Sequence, residues 1–156
     1  MRVHLCAVGR LRSGPERALV DDYVMRFDRS GRALGLGPLS LHEVEDKRGG
    51  GIEAEADLLA RAVPSAALLV ILDERGRILS SPEFADHLTN WRDAGHSDLA
   101  FVIGGADGIA LALRDRADFA LSFGRMVWPH MLVRVMLTEQ LYRAASILAG
   151  APYHRA

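Results

Sequence analysis

The 156-residue sequence predicts an α/β domain built on a mainly parallel sheet flanked by helices, and three observations carry that prediction. Ala66 to Leu72 and Leu99 to Ile103 are short, nearly unbroken apolar runs, the pattern of strands covered on both faces. Segments with apolar residues at helical spacing alternate with such runs along the chain. From Met131 to Leu148 the apolar positions spread around most of a helical circumference, so this helix needs burial on several sides. Arg134, Glu139, Gln140 and Arg143 interrupt it, which excludes a membrane span and leaves a core helix that also meets a partner chain.

Arg2 to Gly9 reads as a first buried strand with Val3, Leu5 and Ala7 on one face. The loop through Gly14-Pro15 opens a helix from Glu16 to Asp28, whose core face is Leu19, Val20, Tyr23, Val24 and Phe27. Leu39 to Val44 alternates as a strand should, and Ile52 to Val63 carries apolar residues at helical spacing. Asp73-Glu74-Arg75-Gly76 is expected to end the strand that begins at Ala66. Ser81 with Pro82 supplies an N-cap and first-turn signal for a helix to Gly95. The strand Leu99 to Ile103 breaks at Gly104-Gly105-Ala106-Asp107-Gly108. A helix from Ile109 to Arg116, a short strand from Phe119 to Ser122 and a loop from Phe123 to Pro129 follow. Pro129 then starts the last helix at His130 or Met131.

Length fits a single domain over residues 1–156, and 49% hydrophobic with 25% charged residues is ordinary for a globular protein. Val3 to Val8 is too short for the apolar core of a signal peptide, and Cys6 is the only cysteine; a cytoplasmic location is therefore expected. A net charge of −1 gives no overall basic field, so nucleic-acid binding has to come from a local patch or from surfaces joined in an oligomer. Arg10, Arg12, Lys47 and Arg48 lie in glycine-containing loops that form either such a rim or ordinary solvated charge. The histidines His4, His42, His87 and His96 lack metal-site spacing, and no metal is expected.

The glycine cluster after the strand at Ile103 is the first candidate site, because glycines there let a ligand approach the backbone. Its Gly-Gly-x-x-Gly pattern is neither the dinucleotide fingerprint nor a phosphate-binding P-loop, so it is either a ligand loop or a plain turn. His130 either caps the last helix or faces a ligand. Arg134 either forms a buried ion pair, with Glu139 or an acidic side chain elsewhere, or meets an acceptor. Glu139 and Arg143 have the spacing of a pair across one helical turn. The terminal Tyr153-His154-Arg155 combines a stacking ring, an imidazole and a guanidinium, which suits an RNA base and its phosphate.

Four ordered blocks, Val102 to Gly108, Pro129 to Arg134, Leu137 to Ala144 and Pro152 to Arg155, resemble the signature of the ribosomal RNA large-subunit methyltransferase H family, within the SPOUT superfamily. The likeness spans essentially the whole chain, including Val8-Gly9, Lys47-Arg48 and Leu72-Asp73. It implies a SPOUT-type α/β fold with a C-terminal trefoil knot, a homodimer, and S-adenosylmethionine as methyl donor. The implied substrate is N3 of a pseudouridine in helix 69 of 23S rRNA within assembled ribosomes. Carried across, the donor pocket is Leu72, Gly104, Gly105, Phe123, Gly124, Arg125, Met126, Val127 and Trp128. The acceptor side is His130, Arg134, Tyr153, His154 and Arg155. A related enzyme acting on tRNA, or a nucleotide-binding module without chemistry, remains open at this level. Met131 stands where the family more often has proline.

Overall fold

A computed structural model describes residues 1–155; Ala156, the last residue of the predicted domain and of the terminal arm, lies outside the described residues. The chain runs β1 (Arg2–Val8), α1 (Pro15–Gly31), β2 (Leu39–Val44), α2 (Gly51–Ala62) and β3 (Leu68–Ile78). It continues through α3 (Ser81–Asp93), β4 (Asp98–Ile103), α4 (Leu111–Arg116), β5 (Phe119–Ser122) and α5 (His130–Leu148). All five strands are parallel, in the order β2-β1-β4-β3-β5.

Both faces of the sheet are covered, as the unbroken apolar runs require. Val3, Leu5, Val70 and Phe101 face Phe27 of α1, Phe84 and Leu88 of α3, and Leu137 and Leu141 of α5. Cys6, Leu69, Ile71, Ala100 and Val102 face α2 and α4 through Ala56, Leu59 and Leu113. Burial pushes the Cys6 thiol up to about 12, so it behaves as an apolar core group and not as a nucleophile. At the amino-terminal end of the sheet, Asp98 accepts from Arg2 Nε at 2.8 Å and lies 2.8 Å from His4 Nε2. These two contacts hold its carboxyl below the usual range. His4 and His42 face each other at 3.1 Å, and His87 stacks among Trp91 and Phe119.

Several element boundaries differ from the sequence reading, α1 for example running to Gly31 and not Asp28, and three of the differences have a visible cause. Residues 73–76 do not end β3: Leu72 and Arg77 both register with Leu121, so these residues form an arch and the strand resumes to Ile78. The partner strand supplies hydrogen bonds that local turn chemistry does not announce. The cap of α3 is Ser80, one residue earlier than expected. Its Oγ accepts from Glu83 N–H at 3.2 Å, and the Glu83 carboxylate accepts from Ser80 N–H at 2.7 Å. Ser81, inside the first turn, donates its hydroxyl to Gln140 of α5. Finally, α4 begins at Leu111, because Ala110 is extended and Ile109 packs with the core formed by α2.

Candidate functional site

In a parallel sheet the loops that follow the strands meet at one edge, where ligands bind. Here β3, β4 and β5 end in a shared cleft of about 690 Å³. Leu72 and Asp73 form one side, Gly104 and Gly105 the floor, and Phe123, Gly124, Met126, Val127 and Trp128 the other side. His130 and Val133, from the first turn of α5, close one end. Arg125, the one residue of 123–128 not among those lining the cleft, is exposed.

The glycine loop is shaped by backbone contact. A Cβ at Gly104 would lie 2.6 Å from the Gly108 carbonyl carbon and 3.0 Å from Ile109 Cγ1, so no larger residue fits without moving the loop. Gly108 has φ +82° and donates its N–H to Gly105 C=O at 3.0 Å, closing a tight turn. Ser122 Oγ accepts from Gly124 N–H at 3.0 Å and lies 3.2 Å from the Glu74 carbonyl, tying the last loop to the arch of β3. Asp73 is only 6% exposed at its side chain and pairs with Arg114 and Arg75 at 3.2 and 3.1 Å. Burial alone would raise its pKa; the hydrogen bonds from Arg75 and the charges of Arg114 and Arg75 outweigh that and lower it.

The cap of α5 is Pro129, and His130 makes no capping bond. Its Nδ1 lies instead 3.3 Å from Arg134 Nη2. Arg134 is 2% exposed; its Nη2 also donates to the Val8 carbonyl, and its Nη1 lies 3.5 Å from Glu43 Oε2. The buried pair is therefore with Glu43 of β2, and Glu139 is engaged elsewhere. Burial, then the charge of Arg134, lowers the pKa of His130.

Tyr153, His154 and Arg155 are not at this cleft. Glu139 Oε1 accepts from Arg143 Nη2 at 2.6 Å, which realises the pair across one turn, and from the Tyr153 hydroxyl at 2.9 Å. Arg143 also lies over the Tyr153 ring and 3.3 Å from His154 Nδ1, while Arg155 is exposed. From His130 to Arg143 the axis of α5 runs about 20 Å at roughly 1.5 Å per residue. The structure thus brings together the donor-side residues and His130, and holds the tail at the far end of the same helix.

Comparison with known proteins meets this geometry. A family model described as "Predicted SPOUT methyltransferase" matches residues 1–154. The chain is 73% identical over 155 residues to "Ribosomal RNA large subunit methyltransferase H" of Cereibacter sphaeroides, covering 99% of each. The chain belongs to that SPOUT methyltransferase family. The protein of the same name from a Ruegeria species is 67% identical with the same coverage. A probable methylase family protein from Haemophilus influenzae shares the fold, with TM-score 0.53, 14% identity, and 99% of this chain covering 70% of that one.

Within the family pattern, Met131 in place of proline leaves α5 intact from His130, and its side chain is 40% exposed. Glu43, the partner of Arg134 beside the cleft, is a residue the sequence reading did not name. A signal existed: Leu39, Leu41 and Glu43 share one face of a strand, so a carboxylate sits on an otherwise apolar face opposite a helix that buries an arginine.

Proposed function

We propose that this methyltransferase moves the methyl group of S-adenosylmethionine to N3 of a pseudouridine in helix 69 of 23S rRNA, acting on assembled ribosomes in the cytoplasm. The observation that carries the donor assignment is the cleft itself, with Gly104 pressed against Gly108 so that the ligand meets bare backbone. Its volume suits a nucleoside-sized ligand. Leu72, Met126 and Val127 offer a flat apolar slot for adenine, and each backbone hydrogen bond there adds about 0.5–1.5 kcal/mol. The sulfonium carbon bonds to N3 as its bond to sulfur breaks, and N3 gives up its proton. Exposed Arg10, Arg12, Lys47 and Arg48, on loops after β1 and β2, form an RNA-facing rim at the same edge. Mass mapping of rRNA from a deletion strain should show one missing methyl in helix 69, restored by this gene; an intact helix 69, or a methyl missing from tRNA instead, refutes the substrate.

The reading includes the family's trefoil knot, which follows from family membership. It also includes a homodimer. The tail is about 20 Å from its own cleft, so only a second copy brings Tyr153, His154 and Arg155 to the donor. Met126 and Val127 are 72% and 83% exposed, and Met131 and Leu132 continue that apolar surface onto α5. Light scattering at micromolar concentration should give twice 17.0 kDa; a monodisperse species of 17.0 kDa refutes the dimer.

A further inference from the structure

Glu43 does more than balance a buried charge. Its Oε2 accepts from Leu11 N–H at 2.5 Å in the loop after β1, while Arg17 Nη1 of α1 lies 3.9 Å from its Oε1. Arg134 is held between this carboxylate and the Val8 carbonyl, and its Nε has no partner. That leaves Nη2 one proton with a single destination, His130 Nδ1 at 3.3 Å. A guanidinium has five donors and no acceptor, so Nδ1 must present its lone pair. The proton of the neutral ring then sits on Nε2. A proton-accepting Nε2 would need the other tautomer, which sets an Nδ1–H against a guanidinium N–H. Gly9, at φ +86°, turns the chain directly beside this pair: a Cβ there would touch both Arg134 Nη2 and His130 Cε1 at 3.7 Å, an ordinary contact.

We propose that Glu43 is a positioning residue that, through Arg134, fixes His130 as its Nε2–H tautomer, so that His130 donates a hydrogen bond to the acceptor base and does not take its proton. The proposal rests on the methyl-transfer reading of the cleft. Solvent hydroxide removes the N3 proton as water, N3 takes the methyl, and the electrons of the broken carbon–sulfur bond stay on sulfur, leaving a neutral thioether. Throughout, Nε2–H faces the negative charge that the ionised imide spreads onto its carbonyl oxygens. The lowered pKa of His130 keeps the ring neutral near pH 7 and so preserves the lone pair that Arg134 requires.

Nitrogen-15 NMR of the ring-labelled full chain, without RNA, reads the tautomer directly. The expected spectrum has a pyridine-type Nδ1 and a pyrrole-type Nε2 for His130, collapsing toward an exchange average in Glu43→Gln and restored in Glu43→Asp. A pyrrole-type Nδ1 in the native chain, or an unchanged spectrum in Glu43→Gln, overturns the proposal. In turnover, Glu43→Gln should lower kcat about tenfold with KM for the donor unchanged. His130→Gln, which keeps an N–H donor, should retain far more activity than His130→Ala; equal loss in the two overturns the donor role. A native chain with the expected tautomer but no methylation of ribosomes would instead refute the substrate reading and leave the positioning role standing.

Discussion

A Gly104→Val variant is expected to bind S-adenosylmethionine about 100-fold more weakly than the native chain, at the scale of two lost backbone hydrogen bonds. The smallest part of the added side chain, Cβ, already falls 2.6 Å from the Gly108 carbonyl carbon. That neighbour is backbone, so it cannot rotate away as a side-chain terminus would. The turn from Gly105 to Gly108 has to move as a unit, and the floor of the cleft moves with it. Gly108→Ala is the informative contrast. No atom lies within 4 Å of its Cβ, and the cost is the φ of +82°, about 1–2 kcal/mol for a residue with a side chain. Gly108→Ala should therefore lower thermal stability while keeping most donor affinity. Calorimetry and thermal melts on both variants separate the two effects, with circular dichroism confirming that the sheet survives. Native affinity in Gly104→Val would remove the cleft from consideration as the donor site.

The central strands β3 and β4 were legible because each carries a nearly unbroken apolar run that two-sided burial explains, and the structure places helices on both faces as that requires; β2 was read from alternation. The donor-side loops were legible through position alone, since ligand loops follow the strand ends of a parallel sheet. What escaped was set by contacts distant in sequence. The arch in β3 depends on Leu121, some fifty residues later, and local residues Asp73 to Gly76 read as an ordinary turn. Arg134 could be expected to need a partner, but choosing Glu43 over Glu139 required knowing that the Arg134 side chain reaches from α5 to the carboxyl end of β2. Glu139, five residues on, is off the i,i+3 and i,i+4 positions that meet on a helix, and it is claimed by Arg143 and Tyr153. The cap at Ser80 was displaced by one residue because Ser81 sits directly before Pro82, while the Glu83 three residues after Ser80 completes the reciprocal capping pattern, worth about 1 kcal/mol.

Removing residues 153–156 should leave donor binding within about twofold of native and reduce methylation about 100-fold or more, the scale set by losing the groups that orient a reactant. The deleted contacts are the Tyr153 hydroxyl on Glu139, the stack of Tyr153 with Tyr142 and Arg143, and His154 Nδ1 beside Arg143 Nη1. The ion pair of Arg143 with Glu139 stays, so α5 keeps its end and the cleft at the other end keeps its shape. Parallel loss of binding and turnover would show that the tail supports the donor pocket and not the acceptor. A mixed dimer makes the division of labour stricter. A truncated subunit has an intact cleft, and a Gly104→Val subunit has an intact tail. If each working site joins the cleft of one subunit to the tail of its partner, random pairing of the two makes half of the dimers mixed, each with one working site. Activity should then return to about a quarter of native. If cleft and tail of the same chain work together, both subunits of the mixed dimer are dead and no activity returns. The 20 Å that α5 sets between His130 and Arg143 favours the first outcome, because that helix is too firmly packed through Leu137, Leu141, Ala144 and Ala145 to fold back on itself.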